Sequence, residues 1–154
     1  MSRRFFNHGP QSQEWYTPLE LLAAIPMQFD LDPAHPGGDA QRFTRWIYTP
    51  ADNGLHQVWH GEVWLNPPYH RSTIHHWMRR MSTHNRGIAL VYARTDTVWW
   101  HLNPGRAYLF LKGRLSFNGD SRRRAPAPSV LIAYGERAAE ALASSTLPGQ
   151  ILHP

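Results

Sequence analysis

The chain runs Glu62-Val63-Trp64-Leu65-Asn66-Pro67-Pro68-Tyr69 and then, past a helical stretch, Gly87-Ile88-Ala89-Leu90-Val91-Tyr92-Ala93. Both are short apolar runs of the kind that form strands buried on both faces. The first cannot continue as a helix, because Pro67 and Pro68 remove two backbone donors and force an extended path at the strand's carboxyl end. Between the runs, from Ser72 on, Ile74, Trp77, Met78 and Met81 recur at i, i+3, i+4 and i+7, the apolar face of a helix that carries His75, Arg79 and Arg80 elsewhere on its surface. Strand, helix, strand in that order predicts a βαβ unit, and with it an α/β fold whose sheet is covered by helices on both faces.

The flanks fit the same frame. Upstream, Thr17-Pro18-Leu19-Glu20 has the capping-box pattern of a helix start, with Leu21, Leu22 and Ile25 as apolar face and Pro26 as stop. Met27 to Asp32 alternates as a short strand does and runs into a loop at Pro33 that continues through Pro36-Gly37-Gly38. Arg45 to Tyr48 reads as another short strand. Downstream, Ala107 to Leu111, Leu115 to Phe117 and Ser129 to Tyr134 read as strands, with an antiparallel pair at one edge of the sheet, and Glu136 to Ala143 as an Ala-rich helix. No repeat or low-complexity tract interrupts the series. The expectation is one domain over 1–154, with a core at about 14–135 and tails at 1–12 and 144–154.

Composition narrows the function. With 154 residues, 42% of them hydrophobic, the chain can bury one proper core but has no room for a second sizeable domain. It has no Cys, which removes disulfides, zinc ribbons and any catalytic thiolate, and suggests an intracellular, cytoplasmic protein. No stretch approaches the roughly 20 apolar residues of a membrane span, and the first ten residues lack a signal core. Residues 1–70 carry four Arg against seven acids, net −3, whereas 71–124 carry ten Arg and Lys112 against Asp96 and Asp120, net +9. A basic half of this kind suits a polyanion.

In open α/β sheets ligands bind outside the carboxyl ends of the strands. Two such ends are chemically loaded here: Asp30-Leu31-Asp32-Pro33-Ala34 and Asn66-Pro67-Pro68-Tyr69. The second matches what methylating an exocyclic amine requires. The amine lone pair is delocalised into its ring and is a poor nucleophile. Acceptors on its two hydrogens, the Asn66 side-chain oxygen and the Pro67 carbonyl, favour pyramidalisation and turn the lone pair towards an electrophilic methyl. Tyr69 offers a π face for a base taken out of its stack.

Asn66-Pro67-Pro68-Tyr69 resembles the catalytic motif of amino-directed DNA methyltransferases, and the wider set resembles the phage-encoded DNA N6-adenine methyltransferases of the Dam type. The matching pieces are Trp15-Tyr16-Thr17-Pro18, Phe29 to Ala34, Gly54-Leu55 with Trp59 and Gly61, and Val63 to Tyr69. They continue with Ala93 to Thr97 and Trp99, then Lys112 to Leu115 with Phe117, and Ala127-Pro128-Ser129. The resemblance implies a Rossmann-like, mostly parallel sheet, S-adenosylmethionine as methyl donor and DNA as substrate, encoded by a phage or prophage in a bacterial host. It places Tyr16, Thr17 and Pro18 near the methionine portion of the donor, and Asp30, Asp32, Pro33 and Ala34 near its ammonium group and ribose. An acidic, aromatic pocket suits a cationic donor. One departure from the pattern is the missing glycine-rich turn after the first strand, for which Pro36-Gly37-Gly38 is a loose substitute.

Arg94, Thr95, Asp96 and Thr97 follow the second strand of the βαβ unit and are expected at the same rim as Asn66; an Arg94–Asp96 ion pair is the plainer alternative. Lys112 and Arg114, with Arg122, Arg123 and Arg124, are assigned to DNA phosphates. The ten histidines include His70, His75 and His76, but no acidic or Cys ligand set accompanies them and the adjacent His75 and His76 are expected to point apart, so no metal is assigned. Three competing functions remain: cytosine-N4 methylation by the same amine logic, a non-catalytic DNA-binding protein on the same scaffold, and a metal-dependent nuclease.

Overall fold

The computed structural model describes residues 16–116 and 124–154. In chain order the elements are α1 (Leu19–Ala23), β1 (Leu31–Asp32), β2 (Trp46–Ile47), a 3-10 turn (Gly54–His56), β3 (Val63–Leu65), α2 (Ile74–His84), β4 (Gly87–Tyr92), α3 (Val98–Leu102), β5 (Ala107–Leu111), β6 (Ser129–Tyr134), α4 (Glu136–Ala143) and β7 (Gly149–Leu152). The fold is α/β, built on a seven-stranded mixed sheet of order β2-β1-β3-β4-β6-β5-β7.

The predicted βαβ unit is its centre. β3 pairs in parallel with β4, Val63 opposite Gly87 and Leu65 opposite Ala89. α2 joins them and buries Ile74, Trp77, Met78 and Met81, ending at Asn85 in the left-handed conformation, whose amide donates to the Met81 carbonyl. Gly87 is required where the unit closes. Its φ is +130°, and a Cβ there would stand 2.0 Å from the Val63 carbonyl oxygen.

β2, β1, β3 and β4 are parallel, while β6 runs antiparallel to both β4 and β5, and β7 antiparallel to β5. Five strands therefore point one way and two the other. The antiparallel pair expected at one edge is formed by β5 and β7, and a further reversed strand, β6, stands in the interior, paired with β4 over the full length from Gly87↔Tyr134 to Tyr92↔Ser129. All six residues of β6 are buried, which only an inner strand permits. Of the strand expected at Leu115 to Phe117, an isolated bridge between Ser116 and Arg124 is formed; Phe117 lies outside the described residues. The segment 144–154, expected as a tail, carries β7. The tail 1–12 lies outside the described residues.

Side chains of the inner strands alternate between two apolar clusters. Trp64, Ile88, Leu90, Leu131 and Ala133 pack with Leu21 of α1 and with Ala138 and Leu142 of α4. Val63, Leu65, Ala89, Val91 and Ile132 pack with the buried face of α2. Among the described residues no helix is long and apolar enough to cross a membrane.

Candidate active site

The strand directions fix which loops share a rim. The carboxyl ends of β1, β3, β4 and β5 lie at the same edge of the sheet as the start of β6. Asp32, Asn66, the 94–97 turn, Lys112 and the segment from Arg124 to Ser129 therefore meet at one rim, although they come from widely separated parts of the sequence.

Asn66, 8% exposed, leaves the end of β3 with its amide held at both ends. Its Nδ2 donates to Thr17 Oγ1 at 3.1 Å, and Tyr69 Oη donates to its Oδ1 at 2.9 Å while also lying 3.0 Å from the Leu90 carbonyl oxygen. Thr17 Oγ1 accepts a second bond, at 3.0 Å, from the indole Nε1 of Trp64. The capping box expected of Thr17 is thus not formed. The N-cap of α1 is Pro18, which has no side-chain acceptor, and the Thr17 hydroxyl is committed to the end of β3 instead. The Tyr69 ring stacks on Tyr92 with centroids 4.1 Å apart, and burial beside Tyr92 pushes its hydroxyl well above the usual phenol range. One face of the ring expected to receive a base is therefore covered by Tyr92.

Next to Thr17 lies an open cavity of about 340 Å³. Tyr16, Thr17, Pro18 and Asp32 line it, four of the residues assigned to the methyl donor, together with Glu20 and Asp39. Asp32 is 3% exposed, and burial pushes its carboxyl up to about 7, against the opposing effect of the Ala34 amide, which donates to Asp32 Oδ1. A cation placed beside such a buried carboxyl in an acid-lined hollow would offset the cost of its charge.

Three assigned residues do not reach the cavity. Asp30 lies at the other end of β1, exposed, its Oδ2 accepting from the Glu62 amide at 2.7 Å and occupying the space where Gly61, at φ +64°, has no Cβ. It braces the start of β3. Pro33 is buried with its carbonyl against Gly54, and Ala34 caps Asp32 through its amide. Sequence reasoning missed His35, Gln41, Phe43 and Ser116, which also line the cavity. His35 ties the loop after β1 together: its Nδ1 accepts from the Gly37 amide at 3.0 Å and its Nε2 meets the Gln41 carbonyl at 3.3 Å. Burial lowers its pKa, so the neutral ring holds the loop. A histidine at a strand end beside two glycines was the available signal.

On the other side of the rim, Arg94 lies over the Tyr92 ring, 5.9 Å from its centroid. Its carbonyl accepts from the amide and hydroxyl of Thr97, and Thr95 offers its carbonyl to His101. Arg94, Thr95 and Asp96 are exposed, and no Arg94–Asp96 ion pair forms among the described residues. Lys112 and Arg124 are exposed; Arg114 is exposed as well but spends one donor on the Ala125 carbonyl at 3.2 Å. Arg122 and Arg123 lie outside the described residues. His75 and His76 do not point apart: both exposed rings lean together, with centroids 3.8 Å apart. Among the described residues no group of three or more His, Asp or Glu side chains is placed to hold a metal.

A family model described as DNA N-6-adenine-methyltransferase (Dam) matches residues 8–142. No curated protein and no solved structure matches the chain.

Proposed function

The chain belongs to the DNA N-6-adenine-methyltransferase (Dam) family, and from that premise we propose that it transfers a methyl group from S-adenosylmethionine to the N6 amine of an adenine turned out of DNA, on a Rossmann-like scaffold. The observation that carries the reading is the junction of Asn66 and the acid-lined cavity through Thr17. The cavity's chemistry fits the donor, whose sulfonium and ammonium are both cationic, since Asp32, Glu20 and Asp39 line it with Tyr16 and Phe43. When bound, the donor supplies an electrophilic methyl on sulfur.

The chain's own residues do the rest. Asp32, at the end of β1, neutralises positive charge in the cavity. Asn66 Oδ1 accepts one hydrogen of the target amine and the Pro67 carbonyl the other, so that the nitrogen lone pair is freed from the ring and turned towards the methyl. The new N–C bond forms as the S–C bond breaks, sulfur keeps the electron pair, and the methylated amine releases one proton to water. An amide is too weak a base to take that proton first. The Tyr69–Tyr92 stack beside Asn66 supports the extruded base. Arg94, Thr95, Asp96, Thr97, Lys112, Arg114 and Arg124 hold the DNA strand along the basic side of the rim, and Arg122 and Arg123, outside the described residues, are assigned to DNA phosphates from the sequence.

The test is incubation of the purified protein with methyl-labelled S-adenosylmethionine and DNA of mixed sequence, followed by nucleoside analysis. Wild type is expected to yield N6-methyladenine, and Asn66→Ala to lower the rate roughly 100- to 1,000-fold. Label in N4-methylcytosine instead would change the target base. DNA binding without any label, or an Asn66→Ala variant as active as wild type, would end the proposal.

A further inference from the structure

We propose that Thr17 is a positioning residue for Asn66, its hydroxyl oxygen fixing which end of the Asn66 amide faces the reacting amine; this rests on the methyl-transfer reading above. The two ends of an asparagine amide have nearly the same shape and opposite hydrogen-bonding character. Packing therefore cannot select between them, and only polar neighbours can. Reaction needs the oxygen outward, because an outward NH2 would set donor against donor at the substrate amine.

Among the described residues, Thr17 and Tyr69 meet the amide. Trp64, fully buried, is pinned edge-on against Phe29 and Phe43 with centroids 5.3 and 6.3 Å away, so its indole N–H is a fixed donor. It holds Thr17 Oγ1 at 3.0 Å, and the same oxygen takes Asn66 Nδ2 at 3.1 Å. Two N–H donors occupy both lone pairs of that hydroxyl. Its one remaining valence is its own proton, and Thr17 lines the cavity. An acceptor in the cavity that takes this proton keeps the Thr17 oxygen a pure acceptor towards Asn66, with Nδ2 inward and Oδ1 turned to Tyr69 and the substrate side. Occupancy of the cavity and orientation of the amide are thus linked through one oxygen atom.

The experiment compares wild type, Thr17→Val, which is isosteric but lacks the hydroxyl, and Thr17→Ser, which restores it. Methyl transfer is measured as kcat and as KM for S-adenosylmethionine, and the Asn66 side-chain NH2 is followed by 15N NMR for hydrogen-exchange protection. Thr17→Val is expected to lower kcat roughly 10- to 100-fold, to raise KM for S-adenosylmethionine by a smaller factor through the one hydrogen bond lost in the cavity, and to expose the Asn66 NH2 to exchange. Thr17→Ser is expected to recover most of the rate and the protection. Should Thr17→Val fail to fold, pairing it with Trp64→Phe removes the donor left unpaired and carries the same test. An unchanged kcat, a loss expressed only in KM, or unchanged Asn66 protection in Thr17→Val overturns the proposal. A wild type that methylates nothing while its Asn66 protection still depends on Thr17 overturns the reaction instead and leaves the hydrogen bond standing.

Discussion

Asp32 carries the clearest conflict between folding and function. Its carboxyl ionises near 7 in the folded chain because burial disfavours the charge, against 3.8 for a free Asp. The folded state therefore binds the proton more tightly than the unfolded one. The Asp32 contribution to stability is full below about pH 4 and is lost progressively as the pH rises to about 7. Asp32→Asn, which keeps the oxygen that the Ala34 amide needs, is expected to stabilise the free protein by roughly 1–3 kcal/mol at pH 8 and not at all at pH 4, read from urea melts at both values. The same variant should lose S-adenosylmethionine affinity, and in wild type that affinity should rise as the pH passes through about 7, measured by calorimetry. At this scale the Asn66 motif was legible because its chemistry is local in sequence. The contact that orients it was not, since Thr17 and Asn66 stand 49 positions apart and the helix-start pattern around Thr17 offered its hydroxyl a nearer partner. Asp30 was misplaced for a related reason: an acid two residues before another in a strand shares its face but not its end.

The β3-α2-β4 unit was read correctly because its buried positions repeat at strand and helix periods over a long enough stretch. α3 and β7 were not. The first is five residues long and buries none of them fully, and the second is four residues long and wholly exposed, so neither leaves a burial pattern. The interior place of β6 was hidden too, because a strand's own residues reveal that it is buried but not which strands flank it. Two outcomes test the elements. Gly87→Ala, which drives a Cβ into the Val63 carbonyl at a positive φ, should cost about 2–4 kcal/mol and lower the urea midpoint. Removing residues 149–154 strips β7 from β5, and the side chains of β7 are all exposed, so a loss of only about 1–2 kcal/mol is expected in the same assay.

Across the whole molecule the rim divides by charge, with an acid-lined hollow beside β1 and arginines and Lys112 beyond β4 and β5. DNA affinity should therefore fall linearly with salt on logarithmic axes, and Arg94→Gln or Lys112→Gln should each reduce that slope by about one, in fluorescence anisotropy, without changing base preference. Arg114→Gln should also cost stability, since it loosens the 114–125 contact. The reversed strand β6 has a consequence for how the chain is made. β5 joins the sheet through β6, and β4, six residues buried on both faces, is covered on its far side only by β6. A nascent chain that has emerged only as far as residue 128 thus holds β4 as a bare apolar edge and β5 with nothing to pair with. The link between β4 and β5 waits until residues 129–134 have emerged, so a pause with the chain emerged only as far as residue 128 should raise aggregation, whereas a pause after Tyr134 has emerged should not.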